Sequence, residues 1–193
     1  MKSWDQKRRL MRRYDQSSKV YDTQYQEEQD AKIRAAINNV TVTPESVILD
    51  VGCGTGLLLE HVVENAQLVV GTDISRGLLS ETKEKAKAYQ NAVLVQSDAD
   101  NLPLRNETFD LVFAMTLMQN VPIPRVTLNE IRRVSKSDAK IIVTGLKKSF
   151  TEKGFIHTLK QADLRIEYSS ADVSLKDHVC ICVKAPVKSK SRT

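Results

Sequence analysis

The sequence predicts an α/β protein, a mostly parallel sheet with helices on both faces and a helical extension before it. Three observations carry this. From residue 47 onward, short apolar runs alternate with stretches of helical periodicity, the pattern of strands joined by crossover helices. The first run, VILDVGCGTG at 47–56, ends in an acid and passes into a loop with glycines at 52, 54 and 56. The second, LVVGTD at 68–73, closes on another acid, Asp73.

The elements follow in order. Residues 3–14 and 19–39 read as two helices, the second with Val20, Tyr21, Ile33, Ala36 and Ile37 in loose helical spacing. Pro44 marks a boundary, which divides the chain into a helical cap with a basic start (1–45), a sheet domain (46–186) and a basic tail (187–193). Strand 47–51 precedes helix 55–65, and strand 68–72 precedes helix 75–90. Ser75 suits the N-cap of that second helix, and Leu78, Leu79, Ala86 and Tyr89 form its apolar stripe. Strand 92–97 and the loop 98–108 come next. Strand 109–115, helix 124–135, strand 140–145 and helix 151–162 continue the alternation, and strands 164–171 and 178–185 end it.

A chain of 193 residues can bury a full core, and no apolar run approaches the roughly 20 residues needed to span a bilayer. The basic start is followed by no apolar segment, so neither a leader nor a membrane anchor is expected. Cys53, Cys180 and Cys182 lack metal-ligand spacing, which points to reduced thiols, no metal and a cytoplasmic setting. The net charge of +5 sits at the ends: residues 1–13 carry +5 and residues 184–193 carry +4, leaving −4 between them. Such ends either neutralise nucleic-acid phosphates or are solvated termini.

The glycine loop carries the chemistry. Glycines leave no Cβ between the backbone N–H groups and a ligand, and the helix N-terminus lies beside them. An acid at the end of the second strand can accept both hydroxyls of a ribose. A nucleoside-bearing cofactor follows. A dinucleotide loop would need a third small residue where this chain has Leu57, so the D-x-G-x-G-x-G spacing points to another nucleoside.

That spacing resembles motif I of the class I S-adenosylmethionine (SAM) methyltransferases. The resemblance extends through YDTQY (21–25), LDVGCGTG (49–56), GTDIS (71–75), SDADNLPL (97–104), FDLVFAMTLMQNVPIP (109–124) and EIRRVSK (130–136). It is closest to the small group that includes the ubiquinone and menaquinone C-methyltransferases. It implies a Rossmann-like seven-stranded sheet whose last strand inserts antiparallel between its neighbours. It also implies SAM as cofactor, S-adenosylhomocysteine (SAH) as product, and no metal. By the same resemblance Gly52, Cys53, Gly54, Thr55 and Gly56 line the methionine and ribose, and Asp50 faces the methionine ammonium. Asp73 takes the ribose hydroxyls, and Ile74 packs on the adenine. Asp98 accepts from the adenine amino group beside the Ala99 backbone, Met115 and Thr116 lie below the sulfonium, and Tyr21 closes the pocket.

Two departures bear on the acceptor. Relatives carry a pair such as His-His where this chain has Gln119-Asn120, and a Lys-Pro-Gly-Gly turn where it has Lys136-Ser137-Asp138-Ala139. Amides are no bases, but Gln119 and Asn120 can orient an acceptor by hydrogen bonding, or else cap the following helix. His61, His157 and His178 fall far from the expected sulfonium position. The expected activity is methyl transfer by in-line displacement, onto RNA if the basic ends bind phosphates and the pocket is open. A closed apolar chamber under the N-terminal helices would favour a small-molecule acceptor instead. A catalytically silent SAM-binding subunit is the reading of a different class. The edge strand 92–97 offers a place for a small activator subunit of the kind used by related methyltransferases.

Overall fold

A computed structural model describes residues 2–186, with nothing assigned for the side chains of Lys2 and Tyr21. Strands β1 (Val47–Val51), β2 (Leu68–Asp73), β3 (Ala92–Gln96), β4 (Phe109–Ala114), β5 (Ser135–Leu146), β6 (Leu164–Ser169) and β7 (Asp177–Lys184) form one sheet in the order β3-β2-β1-β4-β5-β7-β6. β1 to β5 run parallel, and β7 pairs antiparallel with both β5 and β6. The order reverses direction between β1 and β4. This is the point at which the loops leaving neighbouring strands diverge and open a crevice.

Alternation along the strands sends apolar side chains to both faces. Leu49, Val112, Val143 and Cys182 pack against α4 (Pro124–Val134) and α5 (Glu152–Gln161) through Leu128, Ile131, Phe155 and Leu159. Ile48, Leu111, Phe113, Ile142 and Ile181 pack on the opposite side, against the turns of α2 (Leu59–Val62) and the end of α1 (Lys2–Ile37). α3 (Arg76–Ala86) is capped as expected: Ser75 Oγ accepts from Leu78 N at 3.1 Å.

Three elements differ from expectation. Residues 2–37 form one helix, because no Gly or Pro interrupts Asp15–Lys19. At 1.5 Å per residue it is about 54 Å long. Its polar composition is matched by polar anchors along its length. Asp15 Oδ1 accepts from Ser75 Oγ at 2.6 Å and Gly77 N at 2.8 Å, Asp22 pairs with Thr55 and Lys85, and Asp30 meets His61 at 3.2 Å. Ile33 and Ala36 supply the apolar seat at its end. Residues 55–65 hold only the short α2 and a 3-10 turn, Val63–Asn65, because the loop stays non-helical through Gly56 at φ 80°. β5 begins at Ser135, since a stretch without Gly or Pro stays extended and pairs Ser135 with Phe109.

Candidate cofactor and acceptor site

The carboxyl ends of β1, β2 and β4 open into a cavity of about 110 Å³ that α1 roofs. Its floor is the glycine loop. A Cβ on Gly54 (φ 58°) would meet nothing within 4 Å, so this backbone faces open space, whereas one on Gly56 would come within 2.6 Å of Thr82 Cγ2. Gly56 therefore serves the packing of the loop on α3. Asp73, buried at the end of β2, accepts from Gly54 N at 3.0 Å and Ser75 N at 2.8 Å, which ties the loop to the start of α3.

The floor is acidic and dry. Burial, and then the charge of Asp73, push the Asp50 carboxyl up to about 8. Burial also raises Asp73, against the opposing hydrogen bonds from the Ser75 and Gly54 backbone, and it holds the Cys53 thiol well above its usual range. Two carboxyl groups short of solvent favour a ligand that brings a cation, which stabilises their ionised form, and hydroxyl donors.

At the far wall the chain turns sharply after β4. Thr116 has φ 56°, a left-handed conformation costly for a β-branched residue, and every polar group it owns is engaged. Its N–H donates to Thr144 Oγ1 at 2.7 Å, and its carbonyl accepts from Gln119 Nε2 and Asn120 Nδ2, both at 2.9 Å. Its hydroxyl donates to Gln29 at 3.0 Å and accepts from Lys32 Nζ at 3.1 Å. Lys32 is itself buried against Asp177 at 2.5 Å. Asn120 Nδ2 also donates to the Tyr14 hydroxyl at 3.1 Å, a bridge from this turn to α1. Burial raises the Tyr14 phenol.

Asp50, Gly52, Cys53, Gly54, Asp73, Ile74, Asp98, Ala99, Met115, Thr116 and Asn120 all border this one cavity. Three residues expected there do not. Gly56 faces Thr82; Thr55 turns to Asp22 of α1; Gln119 spends its amide on the Thr116 carbonyl and on Leu146 N, the latter at 3.5 Å. The expectation for the Tyr21 side chain lies outside the described residues. Sequence reasoning placed the N-terminal helices over the pocket but did not single out the α1 residues that line it, Lys7, Leu10, Tyr14, Gln29 and Ile33. One signal was present: the pair Tyr14-Asp15 recurs as Tyr21-Asp22, two helical turns on, and both aspartates anchor α1 to the sheet domain. His61 bonds Asp30, His178 meets the Phe150 carbonyl at 3.0 Å, and His157 is exposed; none borders the cavity.

These residues fit SAM: open backbone at Gly54, a ribose-height acid at Asp73, and a buried acid at Asp50 for the ammonium. Residues 49–143 match the methyltransferase domain family. The chain is 30% identical over 142 residues to a malonyl-[acyl-carrier protein] O-methyltransferase of Marinomonas sp., covering 72% of this chain and 52% of that protein. It is 35% identical over 112 residues to a demethylmenaquinone methyltransferase of Staphylococcus saprophyticus, covering 56% of this chain and 48% of that one. The chain thus spans about half the length of these curated relatives. Among solved structures, a chain of the complex between the Haloferax volcanii Trm112 methyltransferase activator and a methyltransferase superposes with a TM-score of 0.79 at 14% identity, over 90% of this chain and 98% of that one. Glycine loop, strand-end acids, sheet order and sequence matches agree: the chain belongs to the class I SAM-dependent methyltransferases, in the small group related to the ubiquinone and menaquinone enzymes.

Proposed function

We propose that this chain catalyses methyl transfer from SAM to a small acceptor held between α1 and the turn after β4. The observation that carries the reading is the roof. α1 brings Leu10, Tyr14, Gln29 and Ile33 against the cavity, so the strand ends are partly covered. The curated relatives, methyltransferases of demethylmenaquinone and of a malonyl group carried on acyl-carrier protein, support a small acceptor group.

SAM supplies an electrophilic methyl on a sulfonium; the residues here supply position. Asp50 and Asp73 hold the ammonium and the ribose, Ile74, Asp98 and Ala99 receive the adenine, and Met115 and Thr116 support the sulfonium from below. Asn120, fixed on the Thr116 carbonyl, orients the acceptor, and water exclusion by α1 favours the in-line geometry. In this reading residues 46–186 form the catalytic domain and 1–45 its cap. The three free buried cysteines suit a reducing cytoplasm.

One observation favours RNA as a second reading: Arg8, Arg9, Arg12 and Arg13 are all exposed on the stretch of α1 whose Lys7, Leu10 and Tyr14 border the cavity. A small activator subunit along β3 is part of the proposal as well. Among the described residues β3 pairs only with β2, and it exposes Val93; the Haloferax volcanii neighbour was solved with an activator. Among the described residues no helix is long and apolar enough to cross a membrane.

Transfer of labelled methyl from SAM into extract of cells lacking the gene tests these readings. Label in solvent-extractable products is expected. Label released by nuclease would replace the small acceptor with RNA, and no label despite SAM binding would point to a missing activator or a silent subunit.

A further inference from the structure

We propose that Lys7 is a positioning residue of the cofactor site, which through Asp98 selects a purine carrying a 6-amino group. The inference rests on the SAM reading above. Lys7 sits in the second turn of α1 and 91 positions from Asp98, yet it is only 7% exposed and borders the cavity. A buried ammonium needs partners, and this one has two. Its Nζ lies 2.8 and 2.7 Å from the two oxygens of Asp98, and it also bonds Asp100 Oδ2. Asp98 Oδ1 additionally accepts from Asp100 N at 3.0 Å, and Asp100 Oδ1 takes the Thr127 hydroxyl.

Two neighbouring carboxylates thus share one ammonium, which leaves a single net negative charge at the cavity wall. The bidentate grip fixes the plane of the Asp98 carboxylate; Oδ1 already accepts twice, while Oδ2 accepts only from Lys7 and keeps capacity for one further donor. A 6-amino group is a donor, so it requires Asp98 charged and aimed; the lysine, also a donor, cannot replace it. Without Lys7 the two acids repel each other and turn apart toward water. Lys7, Leu10 and Tyr14 lie on one face of α1 at helical spacing, so the same turns that build the chamber roof also set the purine subsite.

The test is calorimetric titration of the full chain with SAH and with the SAH analogue bearing hydrogen in place of the 6-amino group. The wild-type protein should prefer SAH by about tenfold to a hundredfold, the range for a hydrogen bond to a charged group. In Lys7→Met and Lys7→Gln that preference should shrink below about threefold, with melting temperatures near wild type, while Lys7→Arg retains most of it. Two variants guard against one that fails to fold. An undiminished preference in both would overturn the proposal and leave Lys7 as a mere tether of α1. Tighter SAH binding in either would also overturn it, by showing that the ammonium occupies the place of the 6-amino group. If the wild-type protein does not bind SAH, the SAM reading falls and this inference falls with it.

Discussion

In the ligand-free protein the Asp50 carboxyl is pushed up to about 8, first by burial and then by the charge of Asp73. A carboxyl titrating there is about 1% ionised at pH 6, about 10% at pH 7 and about 50% at pH 8. If the cofactor ammonium binds only the ionised form, apparent affinity follows that fraction. SAH should then bind about fiftyfold more tightly at pH 8 than at pH 6, and release about 0.9 proton on binding at pH 7. Calorimetry in two buffers of different ionisation enthalpy reads both quantities. Asp50→Asn should bind more weakly at pH 8 and vary by less than about twofold across the range, since the titrating group is gone. The same slope in the variant, or no slope in the wild type, would refute the assignment of Asp50 to the ammonium. Stability without ligand runs the other way. Asp50 has a folded-state pKa above its unfolded one, so its contribution is fully present below about pH 4 and is lost as pH rises through about 8. Ligand-free Asp50→Asn should therefore melt about 2–4 °C above wild type at pH 8, for each kcal/mol of relief.

Other changes test the frame around the site. Asp73→Ala removes the acceptor of two backbone N–H groups along with the ribose partner, and SAH affinity should fall at least about a hundredfold by calorimetry; unchanged affinity would move the cofactor elsewhere. Lys32→Met strands the charge of Asp177, which is only 1% exposed, and should cost about 3–5 kcal/mol in denaturant unfolding. Lys32→Met with Asp177→Leu should recover most of that loss, and a double variant no better than the single would show that the pair does not act as one. Gly145→Ala drives a Cβ into the Phe155 ring of α5 and should lower stability by about 1–3 kcal/mol, partly relieved by Phe155→Leu. Equal melting of wild type and Gly145→Ala would refute that packing.

Much of the sheet was legible because strand and helix periodicities differ, and because β1 runs into Gly52 and β2 ends at Asp73. Val47–Val51, Leu68–Asp73 and Ala92–Gln96 lie within a residue of their expected bounds. The start of β5 was not legible, since an extended stretch without Gly or Pro leaves no mark distinguishing strand from loop. The role of Gln119 was also hidden. An amide next in sequence to a cavity-lining residue, Asn120, can face the cavity or turn back, and here the Thr116 carbonyl, exposed by a left-handed turn, draws it away.

The sequence by itself determined the α/β class, the glycine loop and the two strand-end acids, Asp50 and Asp73, because these are local: a loop and two strand ends encode them within about 30 residues. The sequence also pointed to the N-terminal helical segment as the cover, but only the tertiary structure decided which of its residues border the cavity and what holds them there. A polar helix carries little periodic signal, and its place was set by partners 60 to about 145 positions away: Asp15 on Ser75, Lys7 on Asp98, Lys32 on Asp177. Ion pairs and hydrogen bonds between distant residues depend on which surfaces the fold brings together. They emerge only once the sheet has placed the ends of β2 and β3 and the start of β7 under α1.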